Sequence, residues 1–412
     1  MRRNYLITFA SEFIVIGAGF LVYWVAARYW SAQAFGEYML ARRTLSLLHL
    51  PCALGLGLSV PRFVALATAR PDEAPRPFLL AGVALAAIPL ASLGVLFALA
   101  PGWWATLFFS AASYASLLPG LYLATVGLIL HVLVYGYLRG HLRMAGANAV
   151  QLIVYGIIPL GTFLVPGLTV GAALMVLGVS WIIVAGTCAL LIAAGELRRN
   201  AGRPLALRTA ARELLAYGIP RLPGDVALSA LYTLPATLTA HWASVEAAGH
   251  VAFGISALNL AAGVFSPVGL VLMPTATAMQ ASGRLVELRR SVWRLVMVGG
   301  LLAVGATVVL EFVAPLLVSW YLGPAFAAAA LVLRLVGLAL APQVVYLVLR
   351  DPIDAVSVKA HNGWNVVASL GIFLVGAMIS QTVLGISISL AVAILVLGIM
   401  SVRSARLLLG RP

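Results

Sequence analysis

Long apolar stretches follow one another along the chain, each closed by a short polar segment marked by arginine or proline. Twelve such stretches lie near residues 5–27, 37–66, 78–100, 117–138, 147–165, 170–194, 214–240, 249–280, 293–314, 325–349, 361–380 and 383–405. Each, as a helix, is long enough for the roughly 30 Å hydrocarbon core of a bilayer. The pattern predicts an all-α polytopic membrane protein with twelve transmembrane helices. The first stretch has a basic start like a signal peptide, but its apolar run reaches Ala27. That is span length, so an uncleaved first helix is expected. Pro51 and Pro61 interrupt the second span, Pro235 the seventh, and Pro267 and Pro274 the eighth, while Pro220 and Pro223 open the seventh. Proline removes a helical hydrogen bond, so kinks are expected there. They read either as ordinary membrane-helix prolines or as marks of moving, cavity-lining helices.

Composition agrees with the pattern. The chain is 63% hydrophobic and 9% charged, with a mean hydropathy of +1.06, and a soluble surface would need more charge than that. The formal charge of +14 would point to nucleic acid in a soluble protein. Here the arginines gather at alternate ends of the spans, so membrane lipids, not nucleic acid, are the expected surroundings. With the N-terminus inside, the inner set runs from Arg2 and Arg3 through Arg70, Arg76, Arg139, Arg143 and the central run of Arg198, Arg199, Arg203, Arg208 and Arg212. It continues with Arg284, Arg289, Arg290, Arg294, Arg350, Lys359, Arg403, Arg406 and Arg411, leaving only Arg28 outside. Both termini are therefore expected in the cytoplasm. Trp30, Trp103, Trp104, Trp242 and Trp320 fall near the outer ends, as an interface belt would.

Several chemistries drop out. Lys359 is the only lysine and no GxxxxGK[ST] surrounds it, so ATP hydrolysis by a P-loop is not expected. Cys52 and Cys188 lie in apolar segments without CxxC spacing, and the six histidines form no HExxH. No metal and no cofactor are expected, and His49 and His131 read as structural. The longest connection, "GELRRNAGRPLALRTAARE", is too short for a soluble catalytic domain. A membrane glycosyltransferase would need outer carboxylates, and only Glu37, Glu246 and Glu311 are offered. The chain is not expected to be an enzyme.

The basic linker divides the spans six and six. Residues 1–194 form a first six-helix lobe, 195–213 a cytoplasmic linker, and 214–412 a second six-helix lobe. Sliding one half over the other by 213 positions aligns Gly36 with Gly249, Pro61 with Pro274 and Glu12 with Asp225. Even span numbers per half make the repeats parallel, with a pseudo-two-fold along the membrane normal and a substrate site between halves.

Inside the spans remain Glu12, Arg42, Arg43, Arg62, Arg221, Asp225 and Arg334. A charge facing lipid costs a few kcal/mol or more, so each must turn inward, snorkel or pair. Asp225 has Arg221 one turn before it, which reads as an ion pair or as a gate. Glu12 and Asp225, acidic and repeat-related, are the candidates for ion coupling; Arg62 is the cross-helix partner suggested for Glu12. Arg42 and Arg43 fall opposite Ile255 and Ser256 in the repeat, so the architecture does not require their charge. Adjacent residues diverge by about 100° around a helix, so one of the pair should matter more. An interior rich in arginine suits a large anion such as pyrophosphate, whose oxygens match the guanidinium fork.

The stretches "FGEYMLARRTLSLLHLPCALGLGLSVPRFVA", "YLRGHLRMAGANAVQLI", "LLAYGIPRLPGDVALSALY" and "VLRDPIDAVSVKAHN" together resemble polysaccharide flippases of the Wzx type. These belong to the multidrug/oligosaccharidyl-lipid/polysaccharide exporter superfamily. The resemblance implies two six-helix lobes rocking about a central cavity in the bacterial inner membrane. It implies a monomer that moves an undecaprenyl-pyrophosphate-linked oligosaccharide from the cytoplasmic to the periplasmic leaflet, with other polysaccharide-assembly membrane proteins as candidate partners. Cationic cavity residues are a family feature, and Arg42, Arg43, Arg62 and Arg334 match it. Lipid II flippases of the superfamily typically have fourteen helices, so the expected twelve favour exopolysaccharide or O-antigen units. An ion-coupled multidrug exporter of the same superfamily is the alternative.

Overall fold

The computed structural model describes residues 2–69, 75–199, 206–265, 279, 284–357 and 360–410, without the side chains of 2–9, 69, 76 and 197–199. The expectations for Arg70, Arg203, Pro267, Pro274, Lys359, Arg411 and the second half of the eighth span lie outside these residues. So do those for the side chains of Arg2, Arg3, Arg76, Arg198 and Arg199.

Among the described residues the chain is helical throughout, with no strand. Among the described residues nine helices are long and apolar enough to cross a bilayer, and two bent pairs bring the number to 11. The segment expected at 214–240 is helical over Leu222–Trp242 but is not among them. Asp225, its threonines and its prolines keep its hydropathy low.

Contacts divide the chain into two compact units: Met1–Ala34 with Thr44–Pro223, and Phe35–Arg43 with Gly224–Pro412. The helix Leu207–Gly218 packs within the first.

The first unit holds α1 (Arg2–Tyr29), most of α2 (Ala32–Ala53), α3 (Leu56–Ala69), α4 (Arg76–Leu99), α5 (Pro101–Phe109) and α6 (Leu118–Gly140). It continues with α7 (Met144–Leu152), α8 (Ile158–Phe163), α9 (Val170–Arg199) and α10 (Leu207–Gly218). The expected second span is broken into α2 and α3, which meet at 46°. Pro51 and Pro61 both lie inside helices. The break falls between them, where Leu54 (φ 50°) and Gly55 (φ 73°) turn left-handed. A Cβ on Gly55 would stand 2.5 Å from the Gly218 Cα, so glycine serves both the turn and the contact. Small residues also join α6 to α9: Cβ atoms on Gly120, Gly127 and Gly178 would fall within 2.7 Å of the opposite helix. Between α7 and α8 lies a π-helical turn, Ile153–Ile157.

The second unit holds α11 (Leu222–Trp242), α12 (Val245–Gly263), α13 (Leu285–Tyr321), α14 (Ala329–Gly337), α15 (Leu340–Val356), α16 (His361–Ser380) and α17 (Val383–Leu409). Leu231, Val251, Ile255, Val336, Phe373, Leu390 and Leu397 anchor its core. The expected tenth span is the bent pair α14–α15, again at 46°. The bend at Leu338–Ala339 lies between Gly337, where a Cβ would meet Leu310 Cδ2 at 2.6 Å, and Pro342, which has no N–H to offer the Leu338 carbonyl. The ninth span is longer than expected because α13 extends at both ends and carries Arg289, Arg290 and Arg294 on the helix.

The repeat register reappears in local geometry. Ser31 caps α2 by accepting from Ala34 N at 3.2 Å, and Ser244, its register equivalent, caps α12 by accepting from Ala247 N at 3.0 Å. Within the second unit Gly36 and Gly249 touch, since a Cβ on Gly249 would lie 2.5 Å from the Gly36 Cα. One heptad on, Arg43 meets Ser256, 213 positions away. The Phe35–Arg43 segment therefore runs parallel to α12, with equivalent residues facing each other.

Candidate functional site

Arg43 reaches the site along that parallel contact. Its Nη2 donates to the Ala252 carbonyl at 3.1 Å and to Ser256 Oγ at 2.7 Å. Ser256 itself donates to Ala252 O at 2.8 Å. Thr233 on α11 donates to the Arg43 carbonyl at 3.1 Å. Nη2 of the guanidinium thus meets two neutral oxygens, and the Arg43 backbone is tied separately to α11. Arg42, its neighbour, is half-buried in the same unit.

From Arg43 a line of polar side chains continues through the second unit. The buried hydroxyl of Tyr232 on α11 feels the charges of both Arg43 and Arg350 and faces Gln343. Arg350 Nη2 stands 3.8 Å from Asp225 Oδ1, with side chains 39% and 32% exposed. One turn along α15, Asp354 accepts from Asn362 Nδ2 at 2.8 Å, and the same amide donates to the Arg350 carbonyl at 2.8 Å. The sequence had put Arg350 among the arginines of the inner ends and loops; it lies on a helix and supplies Asp225 with a partner. Arg334 on α14 also has an acidic partner: its Nε is 3.9 Å from Glu311 Oε2 on α13, with both side chains about one-third exposed.

The remaining candidates belong to the first unit. Glu12 accepts from Gln151 Nε2 at 3.1 Å, a partner on α7 that the sequence did not reveal. Arg62, suggested for Glu12, instead places its guanidinium carbon 4.6 Å from the centre of the Tyr217 ring. Arg221 lies over the same ring at 3.9 Å and donates Nη1 to the Tyr217 carbonyl at 2.8 Å. Both arginines are exposed, and among the described residues no carboxylate lies within ion-pair distance of either. An aromatic face holding two guanidinium groups keeps their hydrogen-bond donors available for an anion.

Of the seven interior charges, Arg42, Arg43, Asp225 and Arg334 sit in the second unit, and Glu12, Arg62 and Arg221 in the first. Tyr217, Gln151 and Ser256 were missed as partners because nothing local marks a tyrosine or glutamine as facing a charge. For Ser256 the repeat register carried the signal. Among the described residues no three His, Cys, Asp or Glu side chains group to hold a metal ion.

The fold is that of solved membrane transporters. It superposes on the lipid II flippase MurJ in an inward closed conformation with a TM-score of 0.76 at 13% identity, covering 97% of this chain and 87% of that one. An inward-facing multidrug resistance MATE family transporter gives 0.71 at 12% identity, over 96% of this chain and 94% of that. A transporter of the same superfamily from Pyrococcus furiosus, described by a reverse polarity of its binding pocket, gives 0.65 at 14% identity, over 99% and 95%. No curated protein matches the sequence. The model of a family described as polysaccharide biosynthesis protein matches residues 1–280. Because it covers more than half of the chain, that match makes this protein a member of the polysaccharide biosynthesis protein family.

Proposed function

We propose that the protein is a flippase that carries an undecaprenyl-pyrophosphate-linked oligosaccharide from the cytoplasmic to the periplasmic leaflet of the inner membrane, without catalysis, for polysaccharide assembly. The observation that carries this reading is the balance of interior charge. Asp225 and Glu311 each face an arginine, and Glu12 accepts a hydrogen bond from the Gln151 amide. Arg62 and Arg221 rest on an aromatic ring. Exposed guanidinium groups with no carboxylate at ion-pair distance among the described residues attract a pyrophosphate and repel an organic cation. Family membership supports the polysaccharide connection, and the twelve-span, two-lobe arrangement with both termini inside remains part of the proposal. Alternating access in such a chain draws on an ion gradient, the membrane potential or consumption of product. Glu12 is the better coupling candidate, because its partner is neutral whereas Asp225 faces an arginine.

The test is reconstitution in liposomes with a defined lipid-linked oligosaccharide and an assay of its accessibility in the outer leaflet. Wild-type protein should equilibrate the lipid between leaflets, and Arg62→Ala with Arg221→Ala should slow it strongly. Glu12→Gln should flatten the response to an imposed pH or sodium gradient. Absence of flipping, together with gradient-driven efflux of cationic dyes, would assign the chain to multidrug export.

A further inference from the structure

The flank of the second unit carries a groove of about 1010 Å³ between α13, α15 and α17. Its walls are apolar, and Gly300 and Gly398 form part of its lining. Gly398 must be glycine, because a Cβ there would press on Pro342 at 2.9 Å; a Cβ on Gly300 meets only Val345, at 3.8 Å. Val304, Leu395 and Ile399 line the groove and are also exposed, so it opens outward along apolar helices, where the bilayer lies.

One end differs. Arg403 and Arg406, three residues apart on α17, line the groove and are exposed, and no carboxylate lines it with them. At that end Trp293 on α13 donates its indole N–H to the Gly410 carbonyl at 3.4 Å, and Arg290 and Arg294 on the same helix are exposed. An amphipathic tryptophan beside arginines is the composition of a headgroup-level interface. Arginines that only set topology need no channel behind them; these stand at the mouth of a long apolar one.

We propose that this groove binds an anionic phospholipid, with the phosphate held by Arg403 and Arg406 and an acyl chain laid over Gly300 and Gly398. Guanidinium groups one turn apart match phosphate oxygens in a fork geometry. Basic pockets between helices on the cytoplasmic side are where anionic headgroups are recognised. The arginine asymmetry assigns this end to the cytoplasm, where anionic lipids are concentrated. Apolar exposed walls and a basic end suit an ordinary membrane lipid as its occupant.

Native mass spectrometry of the purified full chain would compare phosphatidylglycerol with phosphatidylcholine of the same acyl chains. The wild type should retain phosphatidylglycerol in preference, and the preference should fade as salt is raised. Each arginine is expected to contribute about fivefold, so Arg403→Gln with Arg406→Gln should weaken retention roughly twenty-five-fold. Gly300→Leu, which fills the channel without changing charge, should lower retention of both lipids. Equal retention of the two lipids by wild type, or an unchanged preference in the double variant, would overturn the proposal. So would retention of undecaprenyl phosphate alone, which would make the groove part of the substrate path. The salt and Gly300→Leu measurements decide the matter if the double variant does not fold.

Discussion

Replacing Gly249 by alanine tests a close backbone approach within the second unit. A Cβ at this position would stand 2.5 Å from the Gly36 Cα and 3.1 Å from its nitrogen. Carbon atoms in ordinary contact are about 3.5–4.0 Å apart, so α12 and the Phe35–Arg43 segment would have to part by about 1 Å. The opposing atoms are backbone and cannot rotate away. Overpacking of this kind costs about 1–3 kcal/mol. Gly254, five residues along the same helix, is the control: a Cβ there meets Val332 Cγ1 at 3.5 Å, an ordinary contact. Both substitutions gain the same helix propensity, about 0.8–1.0 kcal/mol, which cancels when the variants are compared. Gly249→Ala should therefore be about 1–3 kcal/mol less stable than Gly254→Ala in denaturant unfolding of the detergent-solubilised protein. Separation should also weaken the Arg43–Ser256 contact one heptad away, so Gly249→Ala should be the slower transporter. Equal stability of the two variants would refute the close parallel packing.

Two further predictions concern the interior charges. Arg43 should be the more sensitive of the adjacent arginines, because its Nη2 serves both Ala252 O and Ser256 Oγ. Arg43→Ala should cost about 1.5–3 kcal/mol, the range for charged hydrogen bonds, and Arg43→Lys less; an Arg42→Lys variant that transports worse than Arg43→Lys would reverse this order. Asp225 and Arg350 are each about one-third exposed, so their pairing should contribute about 1 kcal/mol or less. A double-mutant cycle with Asp225→Asn and Arg350→Gln should return a coupling of that size and leave ion dependence intact. A coupling of several kcal/mol would refute that estimate, and loss of ion dependence in Asp225→Asn alone would make Asp225 the coupling carboxylate.

Much of this architecture was legible in the chain because a bilayer imposes a one-dimensional rule. Apolar length alone decides that a segment is a spanning helix, and backbone groups in hydrocarbon must bond within it. The expected seventh span is the exception: Leu222–Trp242 is helical and partly buried but is not apolar enough to count among the spanning helices. Residue spacing also carried the repeat, since Gly36 with Gly249 and Arg43 with Ser256 keep one register in sequence and in space. Tertiary structure alone decided the bends and the partners. The second span bends not at Pro51 or Pro61 but at Leu54–Gly55, where the Gly218 backbone comes close. Arg350 faces Asp225, Gln151 faces Glu12, and Tyr217 gathers Arg62 and Arg221. A helix presents its charges at a pitch the sequence fixes, but which neighbour meets each one depends on how helices distant in the chain are rotated and packed.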